Sequence, residues 1–314
     1  MKNFIQKTVI TTGYKFISAF LKFLLVIYIT NTFGASEYGA FTFAMSVFLF
    51  INLIFRYGFD VYLQKETALY EIKKRQLSSV YNFLKLITVS SISLLVVTVI
   101  VEVFLWKFPG IIEPIRYQYL SLLLLFSFVY SIVWLYAYFF RGLGEGSFSV
   151  FNLEIIFPIV QMVFIYIFNS LMFPVYQTLI FSFGIALVLT MIIYSFKIKD
   201  RLYDAKKYAK SHLPKLSFHS IKSSYPFLLM SMSSMILTWE DIYVISYFES
   251  NESIGVYSVV TKIGMLLLFP ASAIFIFFSN KVVEFMHNDD KKNLRKYFLT
   301  GTLGLFCVSF IMFY

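Results

Sequence analysis

Six ionisable residues lie inside or at the ends of long apolar stretches of this sequence, where a charge is costly. They are Lys22, Arg56, Asp60, Glu154, Asp241 and Lys262. An ionised side chain at the centre of a membrane-spanning helix costs about 2.5–3.5 kcal/mol, so it usually faces protein or water and marks a site or pathway. Because the two deepest charges, Lys22 and Lys262, are ammonium groups, the pattern favours non-covalent binding of an anionic substrate.

The positions of the other charges give more specific predictions. Arg56 and Asp60 are four residues apart, which is the spacing of an ion pair on one helix. Pro158 lacks the N–H that would bond to the carbonyl of Glu154, which predicts a local kink beside this acid. Asp241 lies toward one end of its apolar stretch, where an interfacial position is the alternative to a substrate contact.

Lys85 and Arg56 lie near the ends of their apolar stretches. Long basic side chains at such positions can extend their charge to the membrane interface while their methylene groups stay in lipid. We therefore expect both residues to snorkel, and for Arg56 the ion pair with Asp60 is the alternative.

The sequence contains no motif for covalent catalysis or metal binding. Its single cysteine, Cys307, excludes an internal disulfide, and its three histidines are separated in polar segments. The motifs GxxxxGK[ST], HExxH and GxSxG do not occur. We therefore expect a protein that is not an enzyme and that uses no cofactor and no metal.

Composition indicates that the charged residues are carried by membrane-spanning helices. The chain is 59% hydrophobic and only 14% charged, with a mean hydropathy of +0.75. Soluble domains carry about 25% charged residues. Runs of about 20 apolar residues recur along the chain, and each is long enough to cross about 30 Å of hydrocarbon. The sequence thus predicts an all-α, polytopic transmembrane helix bundle.

Nine spans are predicted, and the charges between them predict their orientation. The spans are roughly residues 16–33, 40–60, 80–105, 117–140, 148–168, 174–196, 223–247, 254–279 and 297–314. With the N-terminus in the cytoplasm, 21 Lys and Arg residues fall on the inner side and two on the outer side, as the positive-inside rule requires. The net charge of +10 is then explained by topology and needs no nucleic-acid partner, and the basic residues of the inner segments would favour the anionic inner leaflet.

Two segments 216 residues apart indicate an internal repeat. YGAFTFAMSVF (Tyr38–Phe48) aligns with IGVYSVVTKIG (Ile254–Gly264), with Gly39 over Gly255, and each segment follows a short turn that contains an acidic residue. Parallel repeats are a known transporter plan, and chance similarity between apolar helices is the alternative. The repeat predicts a six-helix lobe at 1–196, a basic cytoplasmic linker at 197–222 and an incomplete three-helix lobe at 223–314.

Several motifs in this order resemble a known family. They are FGASEYGAFTFA (Phe33–Ala44), YGFDVYLQKETA (Tyr57–Ala68), RGLGE (Arg141–Glu145), and then Pro226, Asp241 and Pro270. The chain resembles the polysaccharide flippases of O-antigen, capsule and teichoic-acid pathways, in the multidrug/oligosaccharidyl-lipid/polysaccharide exporter superfamily. Such proteins have twelve or more helices, so the resemblance implies a chain that continues past Tyr314 or is truncated.

The resemblance also implies a function. Such a protein flips an undecaprenyl-pyrophosphate-linked oligosaccharide from the inner to the outer leaflet of the bacterial cytoplasmic membrane, for example in lipopolysaccharide synthesis, alongside polysaccharide-assembly proteins. Lys22 in the first lobe and Lys262 in the second would then contact the pyrophosphate. The alternatives are a drug/cation antiporter of the same superfamily, a non-transporting partner or remnant, and an O-antigen polymerase or ligase.

Overall fold

The computed structural model of the protein describes residues 2–72, 76–107, 112–209, 218–264 and 299. Throughout these ranges the chain is almost entirely helical and contains no β-strand, so the predicted all-α class is confirmed. Helices suit this apolar chain because lipid offers no hydrogen bonds. Each backbone N–H and C=O group must therefore be bonded within the protein.

Eleven helices and one π-helical turn are labelled here in chain order. The first six are α1 (Lys2–Phe33), α2 (Ala35–Arg56), α3 (Phe59–Ile72), α4 (Gln76–Lys107), α5 (Pro114–Leu125) and α6 (Ser127–Gly142). The others are α7 (Gly146–Phe151), the π-helical turn (Asn152–Ile156), α8 (Phe157–Ser170), α9 (Val175–Ala209), α10 (Phe218–Phe248) and α11 (residues 251–264).

Most of the predicted spans coincide with helices that can cross a membrane. Five segments are long and apolar enough: Gly13–Phe33, Ala35–Arg56, Gly146–Ser170, Val175–Lys199 and Ser220–Phe248. The pair α5 and α6, bent by 57°, makes a sixth if it crosses as one broken span. The predicted span at 80–105 lies within the 32-residue helix α4. Most of the last two predicted spans lie outside the described residues, so the total of nine stays a prediction.

The second predicted span, 40–60, is wrong at its end, because α2 stops at Arg56 and α3 begins at Phe59. Tyr57 and Gly58 form the break, with left-handed φ values of 53° and 70°. A Cβ on Gly58 would lie 2.6 Å from the backbone nitrogen of Leu228 in α10. Glycine is therefore required here both by its φ angle and by the close approach of α10.

Helix α6 lies at the centre of the bundle and packs against α2, α3, α4, α5, α7 and α9. Its buried aromatic residues supply much of this contact. Phe139 stacks on Phe83 of α4 at 4.5 Å between ring centroids, while Tyr136 and Phe140 stack on Tyr194 of α9 at 5.7 and 5.4 Å. In lipid such van der Waals packing is a main driving force for helix association, because no water is released.

Three of the connections that are predicted to lie outside meet at one end of the bundle. The Tyr119 hydroxyl donates to the Glu37 carboxylate at 2.6 Å, which joins α5 to the start of α2. The Asn251 amide donates to the Glu113 carboxylate at 3.0 Å, which joins the start of α11 to the residue before α5. These contacts confirm that the three connections share one side of the bundle.

The two glycines aligned by the predicted repeat contact each other's helices. A Cβ on Gly39 would lie 1.8 Å from the carbonyl oxygen of Asn251, and a Cβ on Gly255 would lie 2.0 Å from that of Ala35. Ala35 and Asn251 are themselves 216 residues apart, like the two glycines. The contact is therefore reciprocal, as expected where two repeats meet about a two-fold axis, and this supports the predicted alignment.

Part of the predicted linker at 197–222 is helical in the structure. Helix α9 continues to Ala209 and α10 begins at Phe218, so both helices extend into it. By compactness the chain divides into Met1–Ser258 and Val259–Tyr314, and of the second unit only residues 259–264 and 299 are described. The division into two lobes at the linker stays a prediction.

Candidate functional site

Lys22 of α1 and Glu154 of the π-helical turn form an ion pair between two helical segments. The Lys22 Nζ atom lies 2.6 Å from Glu154 Oε2, and the Ser18 hydroxyl donates to the same oxygen at 2.8 Å. The Lys22 side chain is 51% exposed, whereas that of Glu154 is 25% exposed. The acid is thus held by two partners, while the ammonium keeps an open side.

The π-helical turn positions Glu154. Pro158, at the start of α8, has no N–H for the carbonyl four residues earlier, so the regular α-helical pattern cannot continue through this point. The chain adopts a π-helical turn instead of the predicted kink, and the N–H of Phe157 bonds to the carbonyl of Asn152. Such turns are frequent at functional sites. The Asn152 amide, which donates to the Thr190 carbonyl at 3.2 Å, anchors the turn to α9.

Arg56 and Asp60 form the predicted pair, but across the break between α2 and α3. Arg56 Nη2 lies 3.8 Å from Asp60 Oδ2, and both residues are buried. The Arg56 guanidinium lies over the rings of Trp134 and Tyr130, at 5.2 and 5.5 Å from their centroids. The prediction that Arg56 snorkels is therefore wrong, because packing against α6 encloses it. Within the described chain its Nε and Nη1 atoms have no hydrogen-bond partner.

Arg141, near the end of α6, is a further basic residue that interacts with the surroundings of both pairs. Its guanidinium lies 4.7 Å from the ring centroid of Tyr138, and it interacts electrostatically with Glu154. Tyr138 interacts in turn with Arg56 and Asp60. These five ionisable residues, Lys22, Glu154, Arg141, Arg56 and Asp60, are called the charged cluster below.

The charged cluster borders one face of α6. Tyr130, Trp134 and Tyr138 follow one another at four-residue intervals, with Tyr130 stacked on Trp134 at 5.5 Å and Trp134 tilted against Tyr138 at 6.2 Å. With three bases and two acids, the charged cluster carries one net positive charge when all are ionised. This composition suits binding of an anion through charge-assisted hydrogen bonds. Among the described residues, no group of three His, Cys, Asp or Glu side chains is placed to hold a metal ion.

The sequence profile of a family described as polysaccharide biosynthesis protein (Polysacc_synt) matches residues 4–277. The match covers most of the 314-residue chain. The protein belongs to this family. No curated protein sequence matches the chain significantly.

Solved transporter structures share the fold of this family member. A multidrug resistance MATE family transporter of the MOP superfamily, in an inward-facing conformation, is 12% identical, with 96% of this chain and 71% of that chain covered and a TM-score of 0.72. A MOP superfamily transporter from Pyrococcus furiosus is 12% identical, covers 96% and 69%, and has a TM-score of 0.62. A MATE protein in complex with Br-NRF is 14% identical, covers 98% and 72%, and has a TM-score of 0.61.

At these identities the likeness shows the fold alone. The fold is that of a MATE-like transporter, and the family match adds the link to polysaccharide biosynthesis. This member of the polysaccharide biosynthesis family is therefore a multi-pass membrane protein, with five or six described helices that are long and apolar enough to cross a membrane. The predicted family is thereby confirmed.

Two of the six predicted site residues, Asp241 and Lys262, are not part of the charged cluster. Asp241 of α10 is exposed and accepts a hydrogen bond from the Tyr257 hydroxyl at 2.5 Å. Lys262 lies in the part of α11 that belongs to the second compact unit, and it is partly exposed. The substrate-binding role of each residue stays a prediction.

Two other basic residues differ from the sequence-based interpretation. Lys85 is buried in α4 with 8% exposure, so the prediction that it snorkels is wrong. Arg141 is the first residue of the motif RGLGE and was not among the six predicted site residues, yet it belongs to the charged cluster. Its position in the sequence gave a usable signal, because Arg141 follows Tyr138 by one helical turn on the same face as Trp134.

Proposed function

We propose that this exporter flips an undecaprenyl-pyrophosphate-linked oligosaccharide from the inner to the outer leaflet of a bacterial cytoplasmic membrane. The single observation that carries the proposal is the charged cluster, in which bases outnumber acids within an apolar bundle. A pyrophosphate cannot cross hydrocarbon unshielded, whereas a cationic site between helices can replace part of its hydration shell. Membership of the polysaccharide biosynthesis family supports the same substrate class.

The ion pair between Lys22 and Glu154 indicates how binding would proceed. The Lys22 ammonium already contacts the Glu154 carboxylate at 2.6 Å. A phosphate oxygen that replaces this carboxylate exchanges one charge-assisted contact for a similar one, so the net free energy of binding is small. Glu154 would keep its bond to the Ser18 hydroxyl at 2.8 Å. Such an exchange makes binding modest and reversible, which a flippase requires because the lipid must leave on the opposite side.

Arg56 and Arg141 would contribute mainly through their positive charge. Arg56 is 4% exposed, so a substrate cannot reach it without movement of the surrounding helices. Both guanidinium groups interact with aromatic rings of α6, and such rings hold a cation without removing its charge. They would keep the local potential positive while Lys22 exchanges its partner.

The proposal includes the orientation of the protein in the membrane. The N-terminus lies in the cytoplasm, because this places 21 of 23 loop and terminal basic residues on the inner side. The connections before α2, α5 and α11, which share one end of the bundle, then face outside. The basic segment at 197–222 lies on the cytoplasmic side, against the anionic leaflet.

A drug/cation antiporter is the second candidate. The observation that favours it is the presence of Glu154 and Asp60 inside the bundle, because carboxylates suit organic cations. In this chain, however, each of these acids is paired with a base. The likeness to MATE transporters is compatible with both candidates, since it shows only the fold.

A complementation experiment distinguishes the two candidates. The protein is expressed in bacteria that lack their own flippase for a defined lipid-linked oligosaccharide, and surface polysaccharide and efflux of a cationic dye are both measured. We expect restored surface polysaccharide and unchanged dye efflux. Dye efflux without surface polysaccharide would instead establish the antiporter.

A further inference from the structure

Arg116 joins two parts of the bundle at the end predicted to face outside. It lies in the first turn of α5 and is 6% exposed. Its Nε atom donates to Asn251 Oδ1 at 2.7 Å, and its Nη1 atom donates to the carbonyl oxygen of Ser246 at 3.0 Å. Ser246 lies in the last turn of α10 and Asn251 is the first residue of α11, so the two partners flank the connection between these helices.

The other groups around Arg116 complete a small network. Glu113 Oε2 lies 3.2 Å from Arg116 Nε and also accepts the hydrogen bond from the Asn251 amide. The guanidinium lies 4.8 Å from the ring centroid of Phe43 in α2, and the Phe43 ring packs edge-on against Tyr243 of α10 at 6.4 Å. One arginine thus connects α2, α5 and the start of α11.

Next to the Arg116 network, α2 and α11 contact each other through two glycines. Gly39 of α2 and Gly255 of α11 bring their helices so close that any side chain would overlap the opposite backbone. Small residues allow such an approach. They also interlock no side chains, so the two helices can separate once the polar network releases them.

Ser46 lies in α2, farther from the outer end than Gly39. It is seven residues from Gly39, which is about 10 Å along α2 at 1.5 Å per residue. Its side chain is completely buried and interacts with Tyr243 of α10. A probe from the outer side can reach it only if α2 and α10 part.

We propose that Arg116, with Asn251 and Glu113, is a latch that holds the outer end of the transporter closed over the Gly39–Gly255 contact. The proposal rests on the proposed function for its role in transport. Opening exchanges three hydrogen bonds for hydration by outside water: those from Arg116 to Asn251 and Ser246, and that from Asn251 to Glu113. The latch is therefore reversible, and it is independent of the charged cluster that binds the substrate.

Thiol labelling tests the latch without requiring transport. Cys307 is replaced by Ser and the variant Ser46→Cys is introduced, so that the protein carries one thiol. A membrane-impermeant maleimide is applied to right-side-out vesicles and, separately, to inside-out vesicles. We expect little labelling from the outer side in this parent, and at least a fivefold higher labelling rate from that side after Arg116→Ala or Asn251→Ala.

Control variants separate the latch from general damage. Arg116→Lys keeps a charge but not the forked donor, so an intermediate rate is expected. Lys107→Ala removes the other predicted outer base, which is exposed at the end of α4, and should leave the rate unchanged. Gly255→Ala should raise the rate by forcing the helices apart, whereas Gly13→Ala, where a Cβ meets nothing within 4 Å, should not.

The possible outcomes are distinct. Unchanged labelling in Arg116→Ala and Asn251→Ala, with normal amounts of protein in the membrane, overturns the latch. Labelling that rises only in inside-out vesicles overturns its assignment to the outer side. A latch that opens as expected in a protein that exports no glycan would leave the latch standing and remove the proposed substrate.

Discussion

The Lys22 ammonium lies 2.6 Å from the Glu154 carboxylate and thereby joins α1 to the π-helical turn before α8. The two residues are 132 positions apart in the chain. The sequence alone indicates that Lys22 is a free cation. The structure shows that its ammonium is already paired with a carboxylate. Any anion that it binds must compete with Glu154, and each prediction about the site follows from that competition.

Lys22→Ala is expected to reduce glycan export at least about tenfold. The site loses its exposed ammonium, and the Glu154 carboxylate, no longer paired with Lys22, repels the pyrophosphate; a hydrogen bond to a charged group contributes about 1.5–3 kcal/mol. The measurement is surface polysaccharide in the complementation strain, normalised to protein in the membrane. Lys22→Arg should retain part of the activity and Lys22→Glu none. Export at the parent level by Lys22→Ala would contradict the proposed contact.

Glu154→Gln is expected to strengthen pyrophosphate binding and slow its release, because Lys22 loses its competing carboxylate. Binding of an undecaprenyl-pyrophosphate glycan to the purified protein should become tighter while export falls. The double variant Lys22→Ala/Glu154→Gln serves as the control. It removes both charges, so it should insert normally but not regain the tight binding.

Lys262→Ala is expected to lower glycan export without reducing insertion, if Lys262 is the second pyrophosphate contact predicted from its depth in α11. The assay is the same surface polysaccharide measurement. Lys107→Ala, which changes an exposed base, is the matched control. Normal export by Lys262→Ala would remove this residue from the site.

Lys85→Ala is expected to lower the melting temperature of the purified protein, although the sequence alone predicts a silent change. Lys85 is buried, so truncation leaves a void in the packing of α4. Lys85→Met keeps most of the volume without the charge and should melt close to the parent, since a buried charge is weak evidence for stability. Equal melting of all three proteins would contradict this account.

Gly58→Ala is expected to destabilise the break between α2 and α3. A Cβ there would meet backbone atoms of α10 at 2.6 and 2.7 Å, and the left-handed φ of 70° adds strain. The strain alone costs about 1–2 kcal/mol. Gly144→Ala isolates that part, because Gly144 has a φ of 75° but nothing within 4 Å. We expect a larger fall in melting temperature for Gly58→Ala than for Gly144→Ala, and the difference measures the cost of the overlap with α10.

Reporter fusions after Ser36, Glu113 and Asn251 are expected to report the outside, and fusions after Lys74 and Lys207 the inside. The first three positions share one end of the bundle through the bonds of Glu37 and Asn251. They must therefore report the same side as one another. A cytoplasmic signal from Asn251 alone would be incompatible with the structure.

Composition and short-range sequence pattern were enough to predict the helices, one ion pair and the family. Apolar run length predicted the helices, because hydrocarbon forces backbone groups to bond within each segment. The four-residue spacing predicted the pair Arg56–Asp60, and the 216-residue offset predicted that Gly39 and Gly255 occupy related places. The family resemblance was likewise carried by local motifs, and the profile match confirmed it.

Contacts between residues that are distant in the chain became known from the packing of the helices. Lys22 and Glu154 are brought together by the packing of α1 against the π-helical turn, and no local pattern encodes that choice. Arg56 and Lys85 had the sequence of snorkelling residues, but neighbouring helices enclose them. Arg116 is one of the two basic residues that the charge pattern places on the outer side, and in the structure it is buried and bonds to Asn251. In each case the physical reason is the same: burial and partner choice depend on helix packing, which the one-dimensional pattern of charges does not contain.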